Sequence, residues 1–190
     1  LTDKIVFAGG ISIWYGFAPD MKLTHETTTA ALSACRKHGI KDVYATCWGD
    51  DGCETDVMFT LPGLVLYGEH SYSKDVSDDR ISKICELLTG ATYDDFLTLT
   101  DVLFPMGRKD EEGNRTAFVK EFVYSDPMLN QVEKEMLTPG LSETVEKLYN
   151  KYSALAESAT GLKEHFNYIA VLCKALKLDF DYVNQLRKGY

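Results

Sequence analysis

Residues 46–56 read TCWGDDGCETD, placing a tryptophan, two glycines and four carboxylates in one short stretch behind the apolar run DVYATCW. A second aromatic pair, Trp14 and Tyr15, lies in GISIWYGFAPDMKL (residues 10–23). Together these types suit a sugar. An indole or phenol face packs on the apolar C–H face of a pyranose, while a carboxylate such as Asp50 accepts hydrogen bonds from its hydroxyls and fixes its orientation. Gly49 and Gly52 bracket Asp50 and Asp51 and permit a close approach that a Cβ would obstruct. The bland alternative is a capped loop, with Glu54 and Asp56 favouring the start of the next helix through its dipole.

Such groups must be carried by strand ends. KIVFAGG (4–10) reads as a buried strand running into a loop, and DVYATCW resumes as a second. Between them Thr24 stands before HETTTAALSACRKHG, with basic residues in the last turn and Gly39 just beyond, the start and stop signals of a helix. TDVMFTLPGLVLYGEHSY reads as a buried helix, with Pro62 near its first turns or kinking it. The order strand, loop, helix, strand, loop, helix implies parallel strands joined by a crossover. A parallel sheet is buried on both faces, so this part is expected to be the terminal quarter of a larger α/β domain, with its other strands before Leu1. In parallel α/β proteins functional groups gather at strand carboxyl ends, where both aromatic–acidic stretches lie.

Beyond about residue 73 only helical patterns occur. SDDRISKICELLTG has Ser77 as cap, apolar Ile81, Ile84, Leu87 and Leu88, and Gly90 as stop; Thr92 and Asp95 have capping-box spacing. RKDEEGNR (108–115) reads as a charged turn, and the last fifty residues as two long antiparallel helices meeting near Thr160 and Gly161. Tyr149, Tyr152, Phe166 and Tyr168 recur at helical spacing and read as packing.

A formal charge of −9 over 190 residues argues against nucleic acid or an anionic membrane surface as partner, since either needs clustered Lys and Arg. No apolar stretch reaches the roughly 20 residues of a membrane helix. Five scattered cysteines argue against a disulfide framework and for a reducing compartment, the cytoplasm. Cys35, Cys47 and Cys173 read as buried hydrophobes, and Cys53 has no His beside it to make it a nucleophile. The four histidines lack metal-ligand spacing, so neither metal nor cofactor is expected.

The runs FAGGISIWYGFAPDMKL and KDVYATCWGDDGCETDVMFTLPGL resemble the last two strand–loop–helix units of family 20 glycoside hydrolases, the β-N-acetylhexosaminidases, above all in WGDD at a strand end. The resemblance covers roughly residues 3–72 and implies terminal units of a (β/α)8 TIM barrel (1–72), followed by a helical C-terminal domain (73–190). It implies an enzyme that removes a terminal β-linked N-acetylhexosamine by a substrate-assisted, retaining mechanism. Carried over by position, Trp48 forms a wall of the sugar pocket and Asp50, where the family more often has Glu, binds outer hydroxyls; Trp14, with Tyr15 behind it, is the next candidate. The family's catalytic Asp-Glu pair has no counterpart on these strands. The chain's one Asp-Glu dipeptide, Asp110-Glu111, falls in the charged turn, so the chain is expected to be an inactive fragment of a longer enzyme. Two other classes fit the residues: a non-catalytic helical interaction module, self-associating as a homodimer through its long helices, and a different TIM-barrel hydrolase.

Overall fold

The structure, a computed structural model, describes residues 4–52, 54–109, 112–113, 116, 118–126 and 132–189. Val6–Gly10 (β1) and Asp42–Thr46 (β2) pair in parallel, from Val6 opposite Asp42 to Gly10 opposite Thr46. Parallel strands need a crossover, which α1 (Met21–Lys37) supplies. This helix starts earlier than Thr24 because Asp20 outcompetes it as the cap: the Asp20 carboxylate accepts from the Leu23 amide at 3.1 Å. Thr24 is buried one turn in, where its hydroxyl donates to the Asp20 carbonyl and accepts from the Ser12 amide.

After β2 a short 3-10 turn (Val57–Thr60) leads into α2 (Leu61–Tyr72), with Pro62 in the first turn where its missing N–H costs nothing. Arg36 reaches from α1 to the end of α2 and donates to the carbonyls of His70, Ser73 and Lys74, groups that a helix C-terminus leaves without partners. Next come α3 (Asp78–Thr89), capped by Ser77 and stopped at Gly90, and α4 (Tyr93–Leu97) with the Thr92–Asp95 capping box. On α3, Ile81 and Cys85 are the buried apolar positions, while Ile84, Leu87 and Leu88 face outward. The helix thus sinks a narrower stripe than its apolar residues suggested.

The expected terminal units of a (β/α)8 TIM barrel are not what this chain forms. The described residues are mostly helical and hold a two-stranded parallel sheet, with no run of repeated strand–helix units. Period-2 apolar alternation ends with β2, and everything later follows the helical period, so one β–α–β crossover is all the pattern can build. Nor is the sheet buried on both faces. Phe7, Val43 and Ala45 pack with Ile11, Ile13, Leu32 and Tyr67, whereas Val6 and Tyr44 on the other face are exposed.

The chain divides into two compact units, residues 1–100 and 101–190. In the first, α4 and the residues just after it join α1: Tyr93 meets His25, and the Lys22 amide donates to the Thr100 hydroxyl. α5 (Leu99–Leu103) spans the border. The second unit holds α6 (Val119–Tyr124), α7 (Glu133–Met136), and the long pair α8 (Leu141–Ser158) and α9 (Lys163–Lys188). Phe166, Ile169, Cys173, Leu176, Phe180 and Val183 line one buried stripe of α9, facing Val145, Leu148 and Tyr152 of α8 as partners in the core. Among the described residues no helix is long and apolar enough to cross a membrane.

An ion pair between buried Glu69 and half-exposed Arg80 gives the first unit an acid-sensitive joint. Glu69 on α2 is buried and accepts from Arg80 Nε at 3.0 Å, from Arg80 Nη2, and from the Ser77 amide at 3.2 Å. The Arg80 hydrogen bond, above all, holds the Glu69 carboxyl below its ordinary range. A lowered folded-state pKa stabilises in full above the unfolded carboxyl's pKa and fades as pH falls through the folded value. Urea unfolding between about pH 6 and about pH 3 is therefore expected to show wild type losing more stability than Glu69→Gln, whose amide does not titrate.

Candidate functional site at the strand tips

Both loops that carry the aromatic and acidic residues leave the same end of the sheet, and backbone groups tie them together. The Ile11 amide donates to the Thr46 carbonyl at 2.8 Å, extending the ladder one step past β1. The Thr46 hydroxyl donates to the Gly9 carbonyl at 3.1 Å. Farther out, the Thr55 hydroxyl donates to the Gly16 carbonyl at 2.6 Å and locks the second loop to the first.

The two tryptophans flank this tip. Trp14 is half-buried, its six-membered ring lying over Gly10, where a Cβ would come within 2.8 Å of it. Only glycine allows that approach. Trp48 projects from the adjoining loop, 56% exposed, and its indole N–H donates to the Thr46 hydroxyl at 2.9 Å. Since Thr46 is the register partner of Gly10, the two indoles are set by neighbouring residues of one sheet end. Tyr15 stands edge-on to Trp14, centroids 6.0 Å apart, and its hydroxyl donates to Asp20 Oδ2 at 2.6 Å. Its role here is to brace Trp14, with its hydroxyl spent on the cap of α1.

The carboxylates separate into different tasks. Asp50 is exposed and makes no hydrogen bond or ion pair with the described residues, so its oxygens are open acceptors. Asp51 takes a left-handed φ of 53° and Gly52 one of 96°, together turning the loop back. The Glu54 carboxylate folds over Gly52, within 2.5 Å of where a Cβ would sit, and it is the φ of 96° that favours glycine there. Asp56 accepts from the Met58 amide at 2.8 Å and caps the 3-10 turn. Asp56 thus serves the 3-10 turn ahead of α2 through a capping hydrogen bond, and Asp50 faces solvent beside Trp48.

Cys47 is exposed rather than core, because β2 ends at Thr46 and the in–out alternation lapses one residue later. Its thiol pKa is pushed up by neighbouring protein atoms, the opposite of an activated thiolate. Cys35 and Cys173 are buried free thiols. Cys53, Asp110 and Glu111 lie outside the described residues. What sequence reading missed is the supporting set, Gly10, Thr46, Thr55 and Asp20. Only Asp20, a good cap standing directly before an apolar-periodic run, carried a readable signal.

An exposed indole, a second indole braced against the sheet and an unpaired carboxylate thus share one edge, a set that can stack on a ring and accept hydrogen bonds from its substituents. No protein-family model matches the chain, and no curated protein matches it.

Proposed function

We propose that the strand-tip surface binds an N-acetylhexosamine residue and that the chain belongs to a glycoside hydrolase releasing terminal β-linked N-acetylhexosamine by a substrate-assisted, retaining mechanism. The observation that supports this reading most is the pairing of Trp48 with Asp50, an outward indole and an unengaged carboxylate two residues apart beside Trp14. The resemblance carried by WGDD points to the same sugar. The support is local to this site and independent of any barrel architecture.

In this reading Trp48 stacks on the sugar's apolar face and Asp50 accepts from its outer hydroxyls, with Trp14 closing one side and Tyr15 holding Trp14 in place. The acetamido oxygen of the substrate attacks the anomeric carbon, while an orienting Asp and a proton-donating Glu come from the complete enzyme. The chain by itself therefore binds without turning over. Cytoplasmic placement belongs to the same proposal, supported by the free thiols of Cys35, Cys47, Cys85 and Cys173.

The test is hydrolysis of a nitrophenyl N-acetyl-β-glucosaminide. The isolated chain is expected to give no turnover above background, since a positioned general acid alone supplies about 10²–10⁴-fold. The complete protein should turn over, with kcat/KM reduced by Trp48→Ala. A well-folded complete protein without activity on β-linked N-acetylglucosaminides or N-acetylgalactosaminides would remove the enzyme reading. A second reading, a helical interaction module, draws on the outward face of α9.

A further inference from the structure

α9 carries two apolar stripes. Besides the buried one, Tyr168, Val171, Ala175, Leu178 and Tyr182 recur at alternating steps of three and four residues. All five are exposed, with Tyr168 37%, Val171 57%, Leu178 62% and Tyr182 52% accessible. At roughly 100° per residue this second stripe lies about opposite the first, so α8 covers one side of α9 and the other is exposed. Steps of three and four are the a/d seam of a coiled coil. With Tyr168, Ala175 and Tyr182 at a and Val171 and Leu178 at d, Lys174 falls at g and Asp179 at e.

Those two flanking charges single out the occupant. Lys174 makes no ion pair or hydrogen bond, and Asp179 is partly buried with no partner either, its carboxyl pKa pushed up by burial alone. In a parallel pair the g residue of one helix faces the e residue five positions on in the other. Lys174 would then meet Asp179 of the second copy, and by the twofold the reverse contact forms as well. An antiparallel pairing about Ala175 would instead oppose Lys174 to its own copy.

We propose that α9 pairs in parallel with α9 of a second copy of this chain, seating Tyr168, Val171, Ala175, Leu178 and Tyr182 in a shared seam flanked by reciprocal Lys174–Asp179 ion pairs. The seam runs over about 21 Å of a helix already ordered against α8, so pairing carries little folding entropy. Its side chains expose on the order of 400 Å² per copy, taking ~200 Å² for a fully exposed large side chain. Both copies together bury about 800 Å², below the usual specific interface, which makes the pairing weak and transient, and a dissociation constant of about 10–100 μM is taken for it. Ala175 at the centre lets the helices approach closely. The proposal does not depend on the sugar site.

Sedimentation velocity of the full chain from about 5 to about 500 μM tests it, bracketing that constant. A concentration-dependent dimer is expected. Leu178→Glu, which places a charge on an already exposed position, should leave helical circular dichroism unchanged and abolish the dimer over that range. Lys174→Glu and Asp179→Lys should each weaken it about fivefold, and the double reversal should restore it. A folded chain that stays monomeric throughout overturns the proposal, as does a dimer indifferent to Leu178→Glu. Tightening by Lys174→Glu, unchanged affinity in either single reversal, or failure of the double reversal to recover overturns the parallel register.

Discussion

Trp48→Ala is expected to weaken N-acetylglucosamine binding by the chain about ten- to a hundredfold while leaving its unfolding midpoint nearly unchanged. Stacking an exposed indole on a pyranose removes apolar surface worth about 1.5–3 kcal/mol, and each 1.4 kcal/mol is a factor of ten. The fold has little stake in the same ring. Trp48 is more than half exposed, and its one hydrogen bond among the described residues goes to the Thr46 hydroxyl, which donates to the Gly9 carbonyl independently. Loss of such a surface side chain typically changes stability by about 0.5 kcal/mol or less. Isothermal titration or saturation-transfer NMR reads the affinity, and a urea melt reads the stability. Equal affinity in Trp48→Ala would remove the indole from the site; a collapse in stability would make it a structural residue instead.

The largest stability effect is expected at the other end of the chain. Phe180→Ala should cost the second unit about 3–5 kcal/mol, a large share of the 5–15 kcal/mol that holds a typical domain. Phe180 is fully buried on α9, its ring edge-to-face with Phe122 of α6 at 5.3 Å and 88°. Truncation removes both the buried area and the aromatic pair, and the surrounding Leu176 and Val183 can close only part of the void. Urea denaturation followed by circular dichroism measures the loss. Val171→Ala, on the outward stripe of the same helix, supplies the contrast: at low protein concentration it should be close to neutral, since its side chain is exposed before and after. A near-neutral Phe180→Ala would contradict the packing described for this unit.

Most helices could be read from the sequence because their punctuation is local. Ser77 and Gly90 bound α3, Thr92 and Asp95 cap α4, and the turn between α8 and α9 falls where Thr160 and Gly161 interrupt the pattern. Two competing caps misplaced the start of α1, since Asp20 and Thr24 both stand before helical residues and only the tertiary bond from the Ser12 amide draws Thr24 inside. The barrel did not follow from two strands. A β–α–β unit has the same local signature whatever sheet it enters, and nothing within five-residue strands specifies how many neighbours they have. Tyr168 shows the same limit for helices. Spacing put it among core aromatics, yet α9 carries two apolar stripes and periodicity alone does not say which one α8 covers. At the site, Trp14, Trp48 and Asp50 were legible as residue types with a chemistry. The glycine and threonine contacts that aim them were not, because Gly10, Thr46 and Thr55 act through partners far away in sequence.

The central claim is that the tip of the two strands receives an amino sugar, and the chain's two tryptophans, Trp14 and Trp48, both lie there. Intrinsic tryptophan fluorescence therefore reports on this surface and nothing else. Titration with the methyl β-glycosides of N-acetylglucosamine and N-acetylgalactosamine is expected to give a saturable change with at least one of them, at a millimolar constant of about 1–10 mM. The change should exceed that with methyl β-glucoside and fall in Asp50→Ala. A spectrum unmoved by either amino sugar in a folded chain, or moved equally by methyl β-glucoside, would contradict it.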